Sequence, residues 1–425
     1  MTAKTPDWLS QGWEHIWLPY TQMKTADLPL PVVRSEGVRL FLDDGRSLID
    51  GISSWWTACH GYNHPHIRAC VRAQLEKLPH VMFGGLAHEP VLRLAKRLSD
   101  LLPGNLSRAF FCESGSVSVE IAMKMAIQYW LNQGLSGRST FVSFKGGYHG
   151  DTLGTMSVCD PEEGMHSLFA EVLMPQLIID LPADKEDLAD FERLLTQRRN
   201  EIAGVLLEPL VQGAGGMRFH SPEMLHDIAT IVYRSGHLLI LDEIMTGFGR
   251  TGSLFACLQA EVVPDIITLS KALTGGTLPL AVAVAGTHIF DGFLFDDPAK
   301  ALMHGPTYMA NALGCAAANA SLDLFETENP LDKAKAMQDK LSELLAPCKG
   351  IAGVRDVRAK GAIGVVEVDT LKDVQWLKTR FIENGVWVRP FGNIVYLLPP
   401  LVISDTDLEY LGNSVCAVMA QWERL

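Results

Sequence analysis

Hydrophobic positions along this chain follow two periods. Short apolar or β-branched runs at residues 109–112, 140–144, 204–207, 237–241 and 266–269 predict buried strands. Helix-length segments separate them. The stretch 117–130 shows the helical period, with Val117, Ile121, Met125 and Tyr129 at four-residue spacing. Strands alternating with helices predict an α/β fold whose mostly parallel sheet is covered on both faces.

Near residues 326–331 the texture changes. Residues 332–345 predict an exposed amphipathic helix, and short strands and a further helix follow through residue 383. We read residues 51–330 as a large domain and 331–425 as a smaller α+β domain. Residues 1–50 join the smaller one, with Val32, Val33 and residues 40–42 pairing to it as a small sheet. Two charge-free stretches, 272–290 and 301–322, are broken by Gly275-Gly276, Pro279 and His288 and by Gly305-Pro306, Asn311 and Asn319. Neither is the unbroken apolar run of about twenty residues that a membrane span needs, so both are expected in the core.

Composition narrows the function classes. A net charge of −13 disfavours nucleic acid and anionic membrane surfaces as partners. Eight scattered cysteines without a CxxC pair predict reduced thiols rather than a disulfide framework or zinc site. The opening residues lack the apolar core and cleavage site of a secretory signal, and a cytoplasmic protein is expected. His60, His64 and His66 are set aside as a structural turn interrupted by Pro65, and no metal is expected.

Chemistry gathers at the predicted strand ends, where an open α/β sheet binds ligands. The run HLLILDE ends on Asp242, an acid suited either to cap the next turn or to meet a protonated ring nitrogen. The run IITLS delivers Lys271 at a second strand end, 29 residues later. A lysine's flexible stem reaches a carbonyl, and its amine forms an imine once deprotonated. RAFFC is followed by ESGS, a small-residue turn into a helix that exposes N–H groups to an anion, with Gly115 and Ser116 as the candidate cradle. KGGYHGDT sets Tyr148 and His149 between glycines, where an aromatic can cover a flat ring.

Taken together, LDEIMTGFGRTG, ITLSKALTGG, ESGSVSVEIAMKMA, GGYHGDT and LLEPLVQGAGGM resemble the class III (ω-type) aminotransferases, in that family's order across the whole chain. The resemblance implies a fold-type-I enzyme with a seven-stranded sheet, dependent on pyridoxal 5'-phosphate, and a homodimer with active sites at the interface. It implies that Lys271 holds the cofactor in a Schiff base, Asp242 binds the pyridine nitrogen, Gly115 and Ser116 contact the phosphate, and Tyr148 stacks on the ring. Gly305, Pro306 and Thr307 would come from the partner subunit, with Pro306 and Thr307 at the cofactor.

Further segments, HIWLPYTQM, GISSWWTACHGYNHPH, HVMFGGLAH, MHGPTYMANALGCAAANASL and GVWVRPFGNIVYLLPP, resemble one branch of that family. That branch, in biotin biosynthesis, moves an amino group from S-adenosylmethionine to 8-amino-7-oxononanoate. By that resemblance Tyr20, Trp55, Tyr148, Lys271, Gly305 and Arg389 line the substrate site. Arg389 suits the acceptor's carboxylate, and Trp55 and Trp56 offer apolar walls with an indole N–H left for orientation. A lysine donor, another ω-aminotransferase acting on 4-aminobutyrate or ornithine, and an aminomutase stay open as alternatives. Glu208 is assigned no role.

Overall fold

The computed structural model describes residues 5–161 and 167–424. The predicted strands lie in one seven-stranded sheet: β1 (Leu106–Cys112), β2 (Thr140–Phe144), β3 (Leu177–Ile179), β4 (Ile202–Leu207), β5 (Leu238–Asp242), β6 (Ile266–Leu269) and β7 (Ala281–Gly286). Their order is β1-β7-β6-β5-β4-β2-β3. β7 runs antiparallel to both neighbours, and the other pairings are parallel. β3 and β7 were not anticipated. β7 lies inside the charge-free stretch 272–290, where a fully apolar run carries no period to separate strand from helix.

The strands are apolar on both faces because both faces are covered. Leu239, Leu241, Ile267 and Leu269 pack into one core layer, and Leu238, Ile240, Ile266 and Ala283 into the other. The second layer is closed by the helix Gly115–Asn132, through Val119, Ala122, Met125 and Ala126. Near the N-terminus, strands Val32–Glu36, Arg39–Leu42 and Ser47–Asp50 form an antiparallel ribbon. Val386–Trp387 joins it in parallel, placing Asp50 opposite Trp387. A three-stranded antiparallel sheet of Val354–Lys360, Ile363–Val368 and Ile394–Leu397 packs with the helix Pro330–Leu345.

Two acids stand side by side where β5 ends, and the side-chain alternation of a strand separates their tasks. Asp242 is turned toward His149. Glu243, fully buried, accepts the N–H groups of Ala256 (2.7 Å) and Cys257 (2.8 Å) and the Thr246 hydroxyl (3.3 Å), and so ties down the loop beyond β5. Burial pushes its pKa from 4.5 up to about 7. Between those values the folded chain holds a proton that the unfolded chain has lost, so stability falls as pH rises through that window. This group alone is expected to contribute a decline on the order of 3 kcal/mol. Urea unfolding of the cofactor-free protein at several pH values checks this: Glu243→Gln should flatten the decline, and an unchanged slope would contradict it.

Candidate active site

The predicted chemistry converges at the C-terminal edge of the sheet. Asp242 ends β5, Lys271 follows β6 by one residue beyond Ser270, Gly115–Ser116 follow β1, Tyr148–His149 follow β2, and Glu208 follows β4. Lys271 is half-buried, with φ at +44°, a left-handed conformation that costs a non-glycine residue free energy. Its Nζ lies 4.6 Å from the centre of the Trp56 ring. Among the described residues it has no hydrogen bond or ion pair. Desolvation lowers its pKa, while Asp242, Glu208 and Asp151 oppose that shift.

The capping reading of Asp242 is seen directly. One carboxylate oxygen accepts the Ile244 N–H at 3.0 Å and the Thr268 hydroxyl at 3.3 Å; the other meets His149 Nδ1 at 2.8 Å. An ionised carboxylate only accepts, so Nδ1 is the donor in that pair. His149 is buried, and its Nε2 is without a partner among the described residues. Glu208, to which no role was assigned, accepts the N–H groups of Tyr148 (3.1 Å) and Gly213 (3.0 Å), fixing the backbone that carries the tyrosine. Burial pushes its pKa up to about 7.

The turn before the Gly115–Asn132 helix forms a cradle for an anion. Ser114 caps the helix by accepting the Val117 N–H at 3.3 Å. The N–H groups of Gly115 and Ser116 donate to no acceptor among the described residues, and such groups at a helix start favour negative charge. Gly150 lets the neighbouring loop close against the turn. A Cβ there would lie 2.1 Å from Ser116 Oγ, and the Asp151 N–H donates to that oxygen at 3.3 Å. A carbonyl-seeking amine, a carboxylate for a ring nitrogen and a phosphate-sized cradle thus share one sheet edge, and these residues fit pyridoxal 5'-phosphate.

A cavity of about 700 Å³ adjoins this edge, lined among others by Tyr20, Trp55, Trp56, Tyr148, Arg389 and Tyr396. Tyr20 packs edge-on against Trp55, and its hydroxyl lies 3.3 Å from that of Tyr148 and donates to Asp151. Arg389 stacks 4.2 Å above the Trp55 ring and has no ion pair among the described residues. The expected role of Trp56 needs correction. Its indole N–H is not left for a substrate, because it donates to the Tyr396 hydroxyl at 3.1 Å in the core. Gly305, Pro306 and Thr307 do not line the cavity, and Gly305 and Thr307 are exposed.

The two tryptophans stand on an unusual turn. Ser53, Ser54, Trp55 and Trp56 have φ of 49°, 49°, 64° and 76°, and none is glycine. Trp56 and Thr57 donate back four residues, at 2.9 and 2.8 Å, so the segment is one turn of left-handed helix. At about 1–2 kcal/mol per residue, such a turn costs on the order of 4–8 kcal/mol before its anchors are counted. Arg250, fully buried, is one anchor, donating to the Trp56 carbonyl (3.2 Å) and the Pro399 carbonyl (3.0 Å). No sequence signal marks Asp151, His149 or Arg250 individually; they matter through partners far away in the chain.

Comparison with known proteins agrees with this geometry. The family described as Aminotransferase class-III matches residues 20–418. An adenosylmethionine-8-amino-7-oxononanoate aminotransferase of Mycobacterium leprae is 43% identical over 413 residues, covering 95% of this chain and 94% of its own. One from Buchnera aphidicola subsp. Acyrthosiphon pisum is 41% identical, covering 97% of both chains. Among solved structures, the enzyme of that name from Methanocaldococcus jannaschii superposes with a TM-score of 0.91 at 33% identity over 98% of both chains. An amine transaminase from an uncultivated Pseudomonas species, solved with PLP bound, gives 0.88 at 30% identity, covering 96% of this chain and 98% of its own. With the lysine, the acid and the anion cradle on one sheet edge and the match running nearly end to end, the chain belongs to the class III aminotransferases.

Proposed function

We propose that this chain transfers the amino group of S-adenosylmethionine to 8-amino-7-oxononanoate, giving 7,8-diaminononanoate. The relatives named for that reaction support this reading, and one observation carries it: an unpaired Arg389 stacked on Trp55 in the cavity beside Lys271. The acceptor is a long aliphatic chain with a carboxylate at one end. An indole face suits its methylene groups, and a guanidinium edge suits its carboxylate.

When bound, pyridoxal 5'-phosphate supplies a carbonyl to receive the amine and a ring that takes up electrons from the substrate carbon. Lys271 would hold it through Nζ, Asp242 would meet the ring nitrogen, Tyr148 would cover the ring, and Gly115 and Ser116 would hold the phosphate. Burial favours the uncharged amine of Lys271, which can accept a proton at Nζ and return it. His149, Ile244 and Thr268 fix the orientation of Asp242, so its charge faces one direction. Trp56 closes one side of the lysine against water.

We further propose a homodimer in which the second copy brings Gly305, Pro306 and Thr307 to this site. The exposure of Gly305 and Thr307 in the single chain supports it. A cytoplasmic setting suits eight cysteines that are all free thiols, and no helix among the described residues is long and apolar enough to cross a membrane.

Three measurements test this reading. Lys271→Ala should lower turnover by about a thousandfold or more while the protein still binds the cofactor without a covalent link, and near-normal turnover would remove the lysine from the mechanism. Arg389→Ala should raise the acceptor's KM by about ten- to a hundredfold with the donor half-reaction far less affected; an unchanged KM would take Arg389 out of the carboxylate site. Loaded enzyme mixed with S-adenosylmethionine alone should change the cofactor's visible absorbance. If lysine produces that change and S-adenosylmethionine does not, the donor assignment fails.

A further inference from the structure

The left-handed turn that carries the tryptophans hangs from one carboxylate. Asp50 ends the strand Ser47–Asp50 and is completely buried. Its Oδ1 accepts the Ile52 N–H at 2.9 Å; its Oδ2 accepts the Ser54 N–H at 2.7 Å and the Tyr62 hydroxyl at 2.5 Å. Those two N–H groups flank Ser53, the first left-handed residue. They are the donors that the start of a helical turn leaves unsatisfied, whatever its hand.

The same residue is also fixed to the sheet. Its N–H donates to the Val38 carbonyl at 2.8 Å, Gly51 donates to the Trp387 carbonyl at 2.9 Å, and Asp50 stands in register with Trp387. Arg389 follows Trp387 by two residues. Both members of the Trp55–Arg389 stack are therefore suspended from the Asp50–Trp387 pairing, one through the left-handed turn and one through the strand. Resting on the cavity's proposed role as the acceptor site, we infer that Asp50 is a positioning residue for substrate recognition: its carboxylate holds the turn that sets Trp55 against Arg389 and Trp56 beside Lys271.

Asparagine at this position cannot replace the carboxylate. Whichever way the amide is turned, its NH2 faces the N–H of Ile52 or of Ser54, and one of those loses its acceptor. The turn keeps its other anchors, Arg250 on the Trp56 carbonyl at its exit and Ser53 Oγ on the Leu398 carbonyl at 2.7 Å at its start, so it should loosen while the domain stays folded.

The test uses the cofactor-loaded enzyme and two readouts: the KM for 8-amino-7-oxononanoate, and calorimetric binding of nonanoate, an aliphatic carboxylate that needs no turnover. Asp50→Asn should weaken both by about tenfold while the enzyme keeps its cofactor. Adding Ser54→Gly should restore most of that loss, because glycine accepts a positive φ without the side-chain clash. Wild-type values in Asp50→Asn, or a loss that Ser54→Gly does not recover, would overturn the inference. Should Asp50→Asn fail to fold, Tyr62→Phe removes one of the three bonds and keeps the carboxyl group. It should weaken nonanoate by about threefold, and unchanged binding there also counts against Asp50. If the unaltered enzyme turns over neither substrate, the functional reading fails while the nonanoate series still decides the role of Asp50.

Discussion

Lys271 is half-buried where desolvation lowers its pKa, and among the described residues its amine has no hydrogen-bond acceptor, which imposes a constraint that the surrounding residues must satisfy. A cation in that position would seek water or a carboxylate, and three carboxylates are near enough to raise its proton affinity. Each is occupied elsewhere. Asp242 is held by His149, Ile244 and Thr268; Glu208 faces the N–H groups of Tyr148 and Gly213; Asp151 takes the Tyr20 hydroxyl. With its own pKa near 7, Glu208 is also partly neutral at physiological pH, which weakens its pull on the lysine. The acids around the amine already have partners, which suits the role proposed for it.

That arrangement demands a stiff support, and the backbone shows where the cost is placed. Lys271, Tyr20 and the four residues 53–56 all have positive φ; Tyr20, Trp55 and Trp56 line the cavity, and Ser53 and Ser54 carry the tryptophans into it. Strain of this kind persists only where neighbouring structure over-determines it. Here a seven-stranded sheet buried on both faces anchors the lysine, and the Asp50–Trp387 register anchors the tryptophans. Gly276 lets the two supports touch: at φ +75°, a Cβ there would lie 3.0 Å from the backbone of Ala58, in the segment that follows the left-handed turn.

How much of this could be read from the residues depends on whether the cause was local. Lys271, Asp242, Tyr148 and the Gly115–Ser116 turn follow recognisable strand runs, and strand ends meet at one edge of any parallel sheet. β7 escaped notice because AVAVAG is apolar throughout and carries no period. His149, Asp151, Glu208 and Arg250 act through Asp242, Tyr20, Tyr148 and Trp56, partners between 60 and 194 residues distant, pairings that no local pattern encodes. The left-handed turn was hidden for a different reason. Such conformations are usually signalled by glycine, and Ser-Ser-Trp-Trp contains none; tertiary anchors override local preference there. The Trp56 indole fell to a similar cause, since its partner, Tyr396, lies 340 residues on.

Stacking and recognition by Arg389 do not compete for the same atoms. Contact with the Trp55 ring uses the guanidinium face, while the donors that fit a carboxylate lie in the guanidinium plane. The pair can thus present an apolar wall and a charged fork together, which a lysine at the same position would not. The fork stands two residues beyond a strand of the small sheet, and the Lys271 amine at the edge of the large one. On the roles proposed for Arg389 and Lys271, a substrate that reaches both would be measured between two points carried by different sheets. On that proposal, selection among aliphatic carboxylates would follow from how rigidly those sheets are held relative to one another, with no single contact in the cavity needed to supply it.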